Sequence, residues 1–555
     1  MPRMIVRRIQ MSKVLRVNQI KLTPEQGEDE LHRKLCSILK LKKNARIEYD
    51  IVKKSIDSRH KPDIYYVYSV DVKGIQADGK SVNIMSIKTD KNVSVHETVI
   101  YRFSECSYVK AGRLTEETRP VVVGFGPGGI FCALKLAEAG LKPVIYERGQ
   151  SVEDRKASVE SFWNGGKLNT ESNVQFGEGG AGTFSDGKLN TGVKDPEGRI
   201  RDVLNVFVRF GADKAILSSN KPHIGTDVLS TVIANIREYI ISLGGEINFN
   251  SKVSDIAFDG DGIKSVTITD TADGSSYERK CRTVCFAIGH SARDTFDMFN
   301  NKKIAMAPKP FAVGLRLEHP QQLINHNAYG DCRYNMPAAD YKVTYRTSME
   351  RGVYSFCMCP GGYVVNASSE EERIAVNGMS YSGRDGVNAN SAIIVTITPD
   401  DFGKEVMSGV EFQRKLEGLA YREGKGSIPV QLVDDFKNNR VSTGLGRVTP
   451  QIKGKYNFGN LNNVLPSYVS CAIKEGMSGF EHYIKGFDME DAVFSGVESR
   501  TSSPVKILRD DNYNSSVRGL FPCGEGAGYA GGITSAAVDG VKVAEKINDF
   551  LAQMM

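Results

Sequence analysis

The chain has 555 residues, 40% of them hydrophobic, with 55 glycines and no collagen-like period. This composition suits two to four domains with a sizeable core, rich in tight turns and in places where backbone approaches a ligand. The net charge is only +6, and the ten cysteines form no CxxC and no Cys/His cluster of zinc spacing; a zinc site is therefore excluded, and a reducing, cytoplasmic location fits best.

The charge is unevenly spread. Residues 1–112 carry about +9, so the remainder is slightly acidic. This is either a solvated basic face or a docking surface for an acidic protein, an anionic substrate or nucleic acid. No aromatic-rich RNA-binding motif accompanies it, which disfavours nucleic acid. The opening MPRMIVRRIQMSKVLRV lacks a long apolar run and a small-residue cleavage site, so it does not read as a secretory signal. Alternation predicts strands at Val14–Lys21, Ala45–Lys53 and Tyr65–Val72, with turn-rich residues at Asp57–Asp63. Helical spacing places Leu31, Leu35 and Leu39 on one face of Glu28–Leu39. The β-α-β-β order suggests a ferredoxin-like half, with a linker at about Ala111–Pro120.

From Val121 the pattern alternates between strand and helix. Val121-Val122-Val123 reads as a buried parallel strand. Gly124-Phe125-Gly126-Pro127-Gly128-Gly129 follows as GxGxxG and opens an apolar helix that ends near Gly140. In this fingerprint Gly124 makes the turn, Gly126 lets N–H groups approach a pyrophosphate, and Gly129 lets helix and strand pack closely. The helix start, with Pro127 and Gly128, faces the phosphates. A second strand, Pro143–Tyr146, delivers Glu147, with Arg148 beside it. An acid there accepts hydrogen bonds from both ribose hydroxyls and disfavours a 2′-phosphate, so the nucleotide is FAD or NAD. The most membrane-like stretch, Val121–Leu141, is broken by these glycines and carries Lys135 and Glu138, so no membrane span is expected. Further on, a helix is predicted at Thr226–Ser242, capped by Thr226 or Asp227, then strands at Glu246–Phe249, Lys252–Phe258 and Gly262–Ile268.

Three later segments favour FAD by resemblance. Thr283–Ile288 is an apolar strand whose end, Ala287-Ile288-Gly289, resembles the "ATG" strand of two-dinucleotide flavoproteins. Gly519–Gly526 resembles their late "GD" motif, with Gly524 and Glu525 where those proteins have Asp. Gly531-Gly532-Ile533-Thr534 opens a last helix, which in those proteins points at the flavin. Val253 matches their backbone contact to adenine. Residues 118–555 as a whole resemble the bacterial NAD(FAD)-utilising dehydrogenases, notably at Gly177–Leu189 and Glu498–Pro504, and the basic N-terminal module resembles that group's first domain.

The fold class expected is α/β. A discontinuous Rossmann-like FAD-binding domain takes 113–300 and 470–555, a mixed α+β substrate or cap domain takes 301–469, and a small ferredoxin-like module takes 1–112. Glycine-dense Gly177–Thr183, with Gly180, Gly182 and Thr183, would bring backbone close to the pyrophosphate or isoalloxazine. Catalytic side chains are less legible, because the flavin itself carries the hydride. Candidates are His290 and Arg293 at a strand's carboxyl end, Arg500 with Ser502 and Ser503 as an anion site, and the C-x-C pair Cys357 and Cys359, set on one face of a strand about 7 Å apart by strand rise. There is no second strand–GxGxxG–helix unit and no CxxxxC near the first. A nicotinamide donor, NAD(P)H, would therefore bind transiently, or a protein would supply the electrons. The activity expected is hydride transfer between flavin and a small organic substrate. The rivals are a flavin enzyme acting on RNA or protein docked by the first module, and a flavin-binding scaffold or sensor. Substrate, donor and oligomeric state are not encoded in any motif.

Overall fold

The computed structural model describes residues 10–554; Met1–Ile9, part of the opening read above for a signal, lie outside them. Among the described residues no helix is long and apolar enough to cross a membrane. The Val121–Leu141 stretch folds as the strand Val121–Val123 and the helix Pro127–Glu138.

The N-terminal module is an antiparallel sheet. Its strands run Arg46–His60, Asp63–Ala77, Gln10–Leu22 and Val93–Ile100 across the sheet, with the short Lys80–Val82 paired to the second. Helix Glu28–Ile38 covers one face through Leu31 and Leu35, as the spacing predicted. No second helix follows Asp63–Ala77; Lys80–Val82 and a 3₁₀ turn at Ile84–Ser86 make the return to the last strand. The predicted loop at Asp57–Asp63 is shorter than expected. Asp57 is strand, held by Lys21 and Arg59, and the turn narrows to Lys61-Pro62.

The module is docked rather than tethered. Lys54 in the edge strand exchanges backbone hydrogen bonds with Ser218 and Asn220, and Lys61 reaches the Asn327 carbonyl. The chain also enters the next core earlier than the composition break at 112 implied, because Cys106 and Tyr108 are already buried in it.

The second unit is a five-stranded parallel sheet in the order Leu520–Pro522, Val284–Phe286, Val121–Val123, Val144–Tyr146, Glu246–Asn248. Every residue of the first four strands in this order is buried, which explains their continuous apolar runs. Helices Pro127–Glu138, Arg199–Arg209, Thr226–Ser242 and Ile533–Ala552 pack on one face. An antiparallel sheet of Ser251–Asp259, Gly262–Asp270 and Ser276–Lys280 packs on the other. Thr226–Ser242 has the predicted bounds, but its cap is Gly225 with no side-chain bond; Asp227 instead accepts from Ser382.

The third unit is a seven-stranded sheet in the order Thr344–Arg346, Gly352–Cys359, Asn388–Ile397, Phe311–Pro320, Val493–Glu498, Ile428–Leu432, Tyr456–Phe458. The expected return to the first sheet at residue 470 comes later. Helix Ser467–Phe480 packs on the large sheet, and Val493–Glu498 pairs inside it.

The last helix crosses the fingerprint helix at backbone contact. A Cβ on Gly540 would overlap the Gly128 carbonyl oxygen. Gly540→Ala is expected to cost about 1–3 kcal/mol by forcing the helices apart, read as a lower urea midpoint; an unchanged midpoint would contradict this packing.

Candidate functional site

A cavity of about 380 Å³ lies where the parallel sheet, the glycine segment 177–182 and the seven-stranded sheet meet. Its floor is the fingerprint turn. Gly124 adopts φ +90° and donates its N–H to the Tyr146 carbonyl at 2.8 Å, and a Cβ on it would lie 2.5 Å from the Ala287 carbonyl oxygen. Only glycine takes that position without strain. Gly126 faces Gly180 so closely that a Cβ on either would meet the other's Cα at 3.5 or 3.0 Å. The two glycine segments therefore form a slot walled by backbone.

The upper segment is held by a buried arginine. Arg155 has no exposed surface, and its guanidinium donates to the carbonyls of Asn173, Val174, Gly177 and Glu178. Those bonds satisfy a charge that burial would otherwise make costly.

Glu147 sits at one end of the cavity, 5% exposed. Its Oε2 accepts the Phe125 N–H at 2.8 Å, and its Oε1 accepts the N–H groups of Gly149 and Gly177 at 2.9 and 3.0 Å. A carboxylate offers about four lone-pair sites. Three are filled, so Glu147 has room for about one ribose hydroxyl rather than both. Arg148 lines the same end and pairs with Glu171 and Asp294, its guanidinium 4.2 Å from the Phe176 ring centroid. Val253 lines it as well, on the antiparallel sheet.

Gly524, Glu525, Gly531, Gly532 and Ile533 line the cavity as well. The two motifs, far apart in the chain, thus face one cavity. The N-termini of helices Pro127–Glu138 and Ile533–Ala552 both open onto it, with neither start capped by a side chain. Burial pushes the Glu525 carboxyl up to about 7, against the opposing pull of Lys309.

Further walls come from the large sheet and its return, Phe356, Cys357, Glu498, Arg500 and Thr501, and from Asn377 on the strand Val376–Met379 of a separate three-stranded sheet. Buried Glu417 clamps Arg500 and Arg293 together, accepting from the guanidinium of each at 2.7–2.9 Å. Arg316 in turn holds Glu498 at 2.9 Å. Lys188 and Asp186 line the cavity near Gly182, with Asp186 paired to Arg384.

Several expected contacts lie elsewhere. Gly129 lies under the turn, where a Cβ would overlap the Gly124 carbonyl. Thr183 is 1% exposed, its hydroxyl directed at the Glu178 carbonyl. The Thr534 hydroxyl donates to the Leu189 carbonyl. Arg293 is spent on Glu417 and Glu370, and Cys359 is buried. His290 lines the cavity, but burial, reinforced by Arg500 and Arg293, pushes its imidazole down to about 3. It is neutral near pH 7 and carries no proton to donate as an imidazolium. Ser502 binds Lys309, and Ser503 bonds the Val505 carbonyl, so neither joins Arg500 in an anion site. Gln175, Phe176, Ser291, Asn377 and Glu498 line the cavity without having been singled out. Only Glu498 carried a signal, as the first residue of the Glu498–Pro504 stretch.

Residues 310–501 match the family described as "FAD-dependent protein, C-terminal domain-like", and residues 14–73 match "Domain of unknown function (DUF8436)". The chain is 48% identical over 541 residues to an "Uncharacterized protein" of Clostridium beijerinckii (strain ATCC 51743 / NCIMB 8052), covering 96% of this chain and 98% of that one, and it belongs to the same family. Among solved structures it is similar to a flavoprotein/dehydrogenase from Cytophaga hutchinsonii, at 13% identity and TM-score 0.36 over 78% of this chain and 79% of that one. It is also similar to the glycerol-3-phosphate dehydrogenase from Bacillus halodurans complexed with FAD, at 12% identity and TM-score 0.34 over 80% of this chain and 67% of that one.

The raised Glu525 carboxyl makes stability depend on pH. Unfolded, a glutamate ionises near 4.3; folded without cofactor, this one ionises near 7. The folded chain holds the proton more tightly between those values, so stability falls as pH rises through them and levels off above. Glu525→Gln in cofactor-free protein is therefore expected to raise the denaturation midpoint above about pH 7.5 and to leave it unchanged near pH 4. Equal gains at both pH values would refute the buried-carboxyl assignment.

Proposed function

We propose that the cavity holds one FAD non-covalently and that the chain is an FAD-dependent oxidoreductase. The observation that carries this reading is the convergence of two glycine turns and two uncapped helix starts on one cavity. A dinucleotide is long enough to engage both turns, and helix N-termini favour its phosphates. In this reading Glu147 and Val253 hold the adenosine end, and the pyrophosphate lies in the slot between Gly126 and Gly180. Gly524, Glu525 and the Gly532–Ile533 helix start hold the ribityl and flavin end. The match of residues 310–501 to a domain of FAD-dependent proteins supports the same cofactor.

Bound FAD supplies two-electron chemistry, as hydride transfer to or from a substrate. The chain's own groups do the rest. Phe356, Asn377, Glu498, Arg500 and Thr501 form a chamber on the large-sheet side, where a small organic substrate would lie. Arg500, fixed by Glu417 and hydrogen-bonded to Ser291 and Ser369, is positioned to orient an anionic group. Asn377 and Glu498 offer hydrogen bonds to a polar substrate, and the apolar sheet behind them limits access of water. NAD(P)H would reach the cavity only transiently.

Purified protein is expected to be yellow. Gly126→Val puts branched methyls into the slot against Gly180 and should give a folded but colourless chain, with circular dichroism unchanged. Wild-type protein that stays colourless after incubation with excess FAD overturns the proposal.

A further inference from the structure

The Cys357–Cys359 pair differs from two cysteines on a regular strand. The strand Gly352–Cys359 loses register against Asn388–Ile397 between Phe356 and Cys359: three residues on one side span two on the other. This is a bulge, which re-aims side chains. Cys357 sits in it at φ +45°, half-buried and lining the cavity, whereas Cys359, two residues on, is fully buried. The Cys359 Sγ lies 3.3 Å from the Cys357 carbonyl oxygen.

Positive charge surrounds the pair. Lys188 donates to the carbonyl of the intervening Met358, and Arg316 donates to the Cys357 carbonyl at 3.1 Å. The two thiols consequently differ in character. A hydrogen bond from Cys359, together with Lys188 and Arg316, outweighs burial and holds Cys357 below the ordinary thiol range. The same bond, with burial, pushes Cys359 well above it. One thiol is thus made a nucleophile at neutral pH, and its neighbour stays protonated until called on.

From this arrangement we infer that Cys357 and Cys359 form a redox-active dithiol whose substrates are small-molecule disulfides, with Cys357 attacking and Cys359 resolving. The Cys357 thiolate attacks one sulfur of an incoming disulfide, whose S–S bond breaks and releases a first thiolate. A mixed disulfide remains on Cys357. Cys359 then gives up its proton and attacks the Cys357 sulfur, expelling the second thiolate. The substrate disulfide has gained two electrons and leaves as two thiols, and the pair has lost two electrons and become a disulfide. A bound FAD, once reduced to the hydroquinone by an external two-electron donor such as NAD(P)H, would return two electrons and two protons to the pair, and this last step alone rests on the cofactor reading above.

Full-length protein is treated with bis(2-hydroxyethyl) disulfide, quenched with acid and N-ethylmaleimide, and digested for mass spectrometry. The peptide carrying both cysteines is expected two hydrogens lighter in wild type. It should carry a stable hydroxyethylthio adduct on Cys357 in Cys359→Ser, and no adduct in Cys357→Ser. In parallel, iodoacetamide at about pH 6.5 should modify Cys357 in wild type at least ~10-fold faster than any other cysteine. Anaerobic titration of FAD-loaded, disulfide-oxidised protein with dithionite should consume about four electrons per chain in wild type and about two in Cys357→Ser. Absence of any Cys357 adduct, with slow alkylation, overturns the dithiol. Equal electron uptake in a yellow protein overturns its link to flavin. A colourless protein that still forms the internal disulfide sinks the cofactor reading and upholds the dithiol.

Discussion

Two helices that touch backbone to backbone organise this molecule. Gly128 and Gly540 meet where the fingerprint helix and the last helix cross, and a Cβ on Gly540 would overlap the Gly128 carbonyl oxygen. Because the helices share that crossing near their N-terminal halves, both starts open onto the same space. The turns preceding them, 124–126 and 524–532, both line one cavity. Each helix start brings partial positive charge, and together they make the cavity attractive to a diphosphate without any arginine or lysine of the turns themselves taking part.

Buried charge does the comparable work on the far side. Glu417 comes from a helix of the inserted unit, Arg293 from the helix after the parallel sheet, and Arg500 from the strand-end that leads back to it. A carboxylate with no exposed surface is tolerable only because two guanidiniums satisfy it. The clamp ties the large sheet to the parallel-sheet unit and fixes Arg500 in the cavity wall. Arg316 and Glu498 repeat the device one strand away, so the polar groups of the chamber are held by partners rather than left to rotate.

Among the described residues, the N-terminal module contributes none to the cavity lining. Its edge strand joins Ser218–Asn220, and its Lys61 hairpin rests on residues 327–330 of the inserted unit. It bridges two units, which gives its basic sheet a structural task alongside any docking role. The excess positive charge is partly consumed internally, as in the Arg16–Asp71 and Lys21–Asp57–Arg59 pairs.

Local pattern alone was sufficient for some of the turns and elements. The valine run before GxGxxG, the leucine spacing of Glu28–Ile38 and the amphipathic Thr226–Ser242 reflect burial that repeats along a single element, and such burial leaves a period in the sequence. The glycine positions were legible for the same reason, since a backbone that must turn at φ +90° or touch another backbone excludes every other residue. Tertiary structure decided what those elements face. Whether Thr534 points to a ligand or to the Leu189 carbonyl, whether Arg293 is free or clamped by Glu417, and whether Cys357 and Cys359 are two core thiols or a polarised pair at a bulge all depend on partners distant in the chain. It likewise determined that the strand Val493–Glu498 belongs to the inserted sheet. Long-range pairing and burial electrostatics have no periodic signature, so the chain alone specified the frame of the site while only the folded packing assigned charge, reach and neighbours to its side chains.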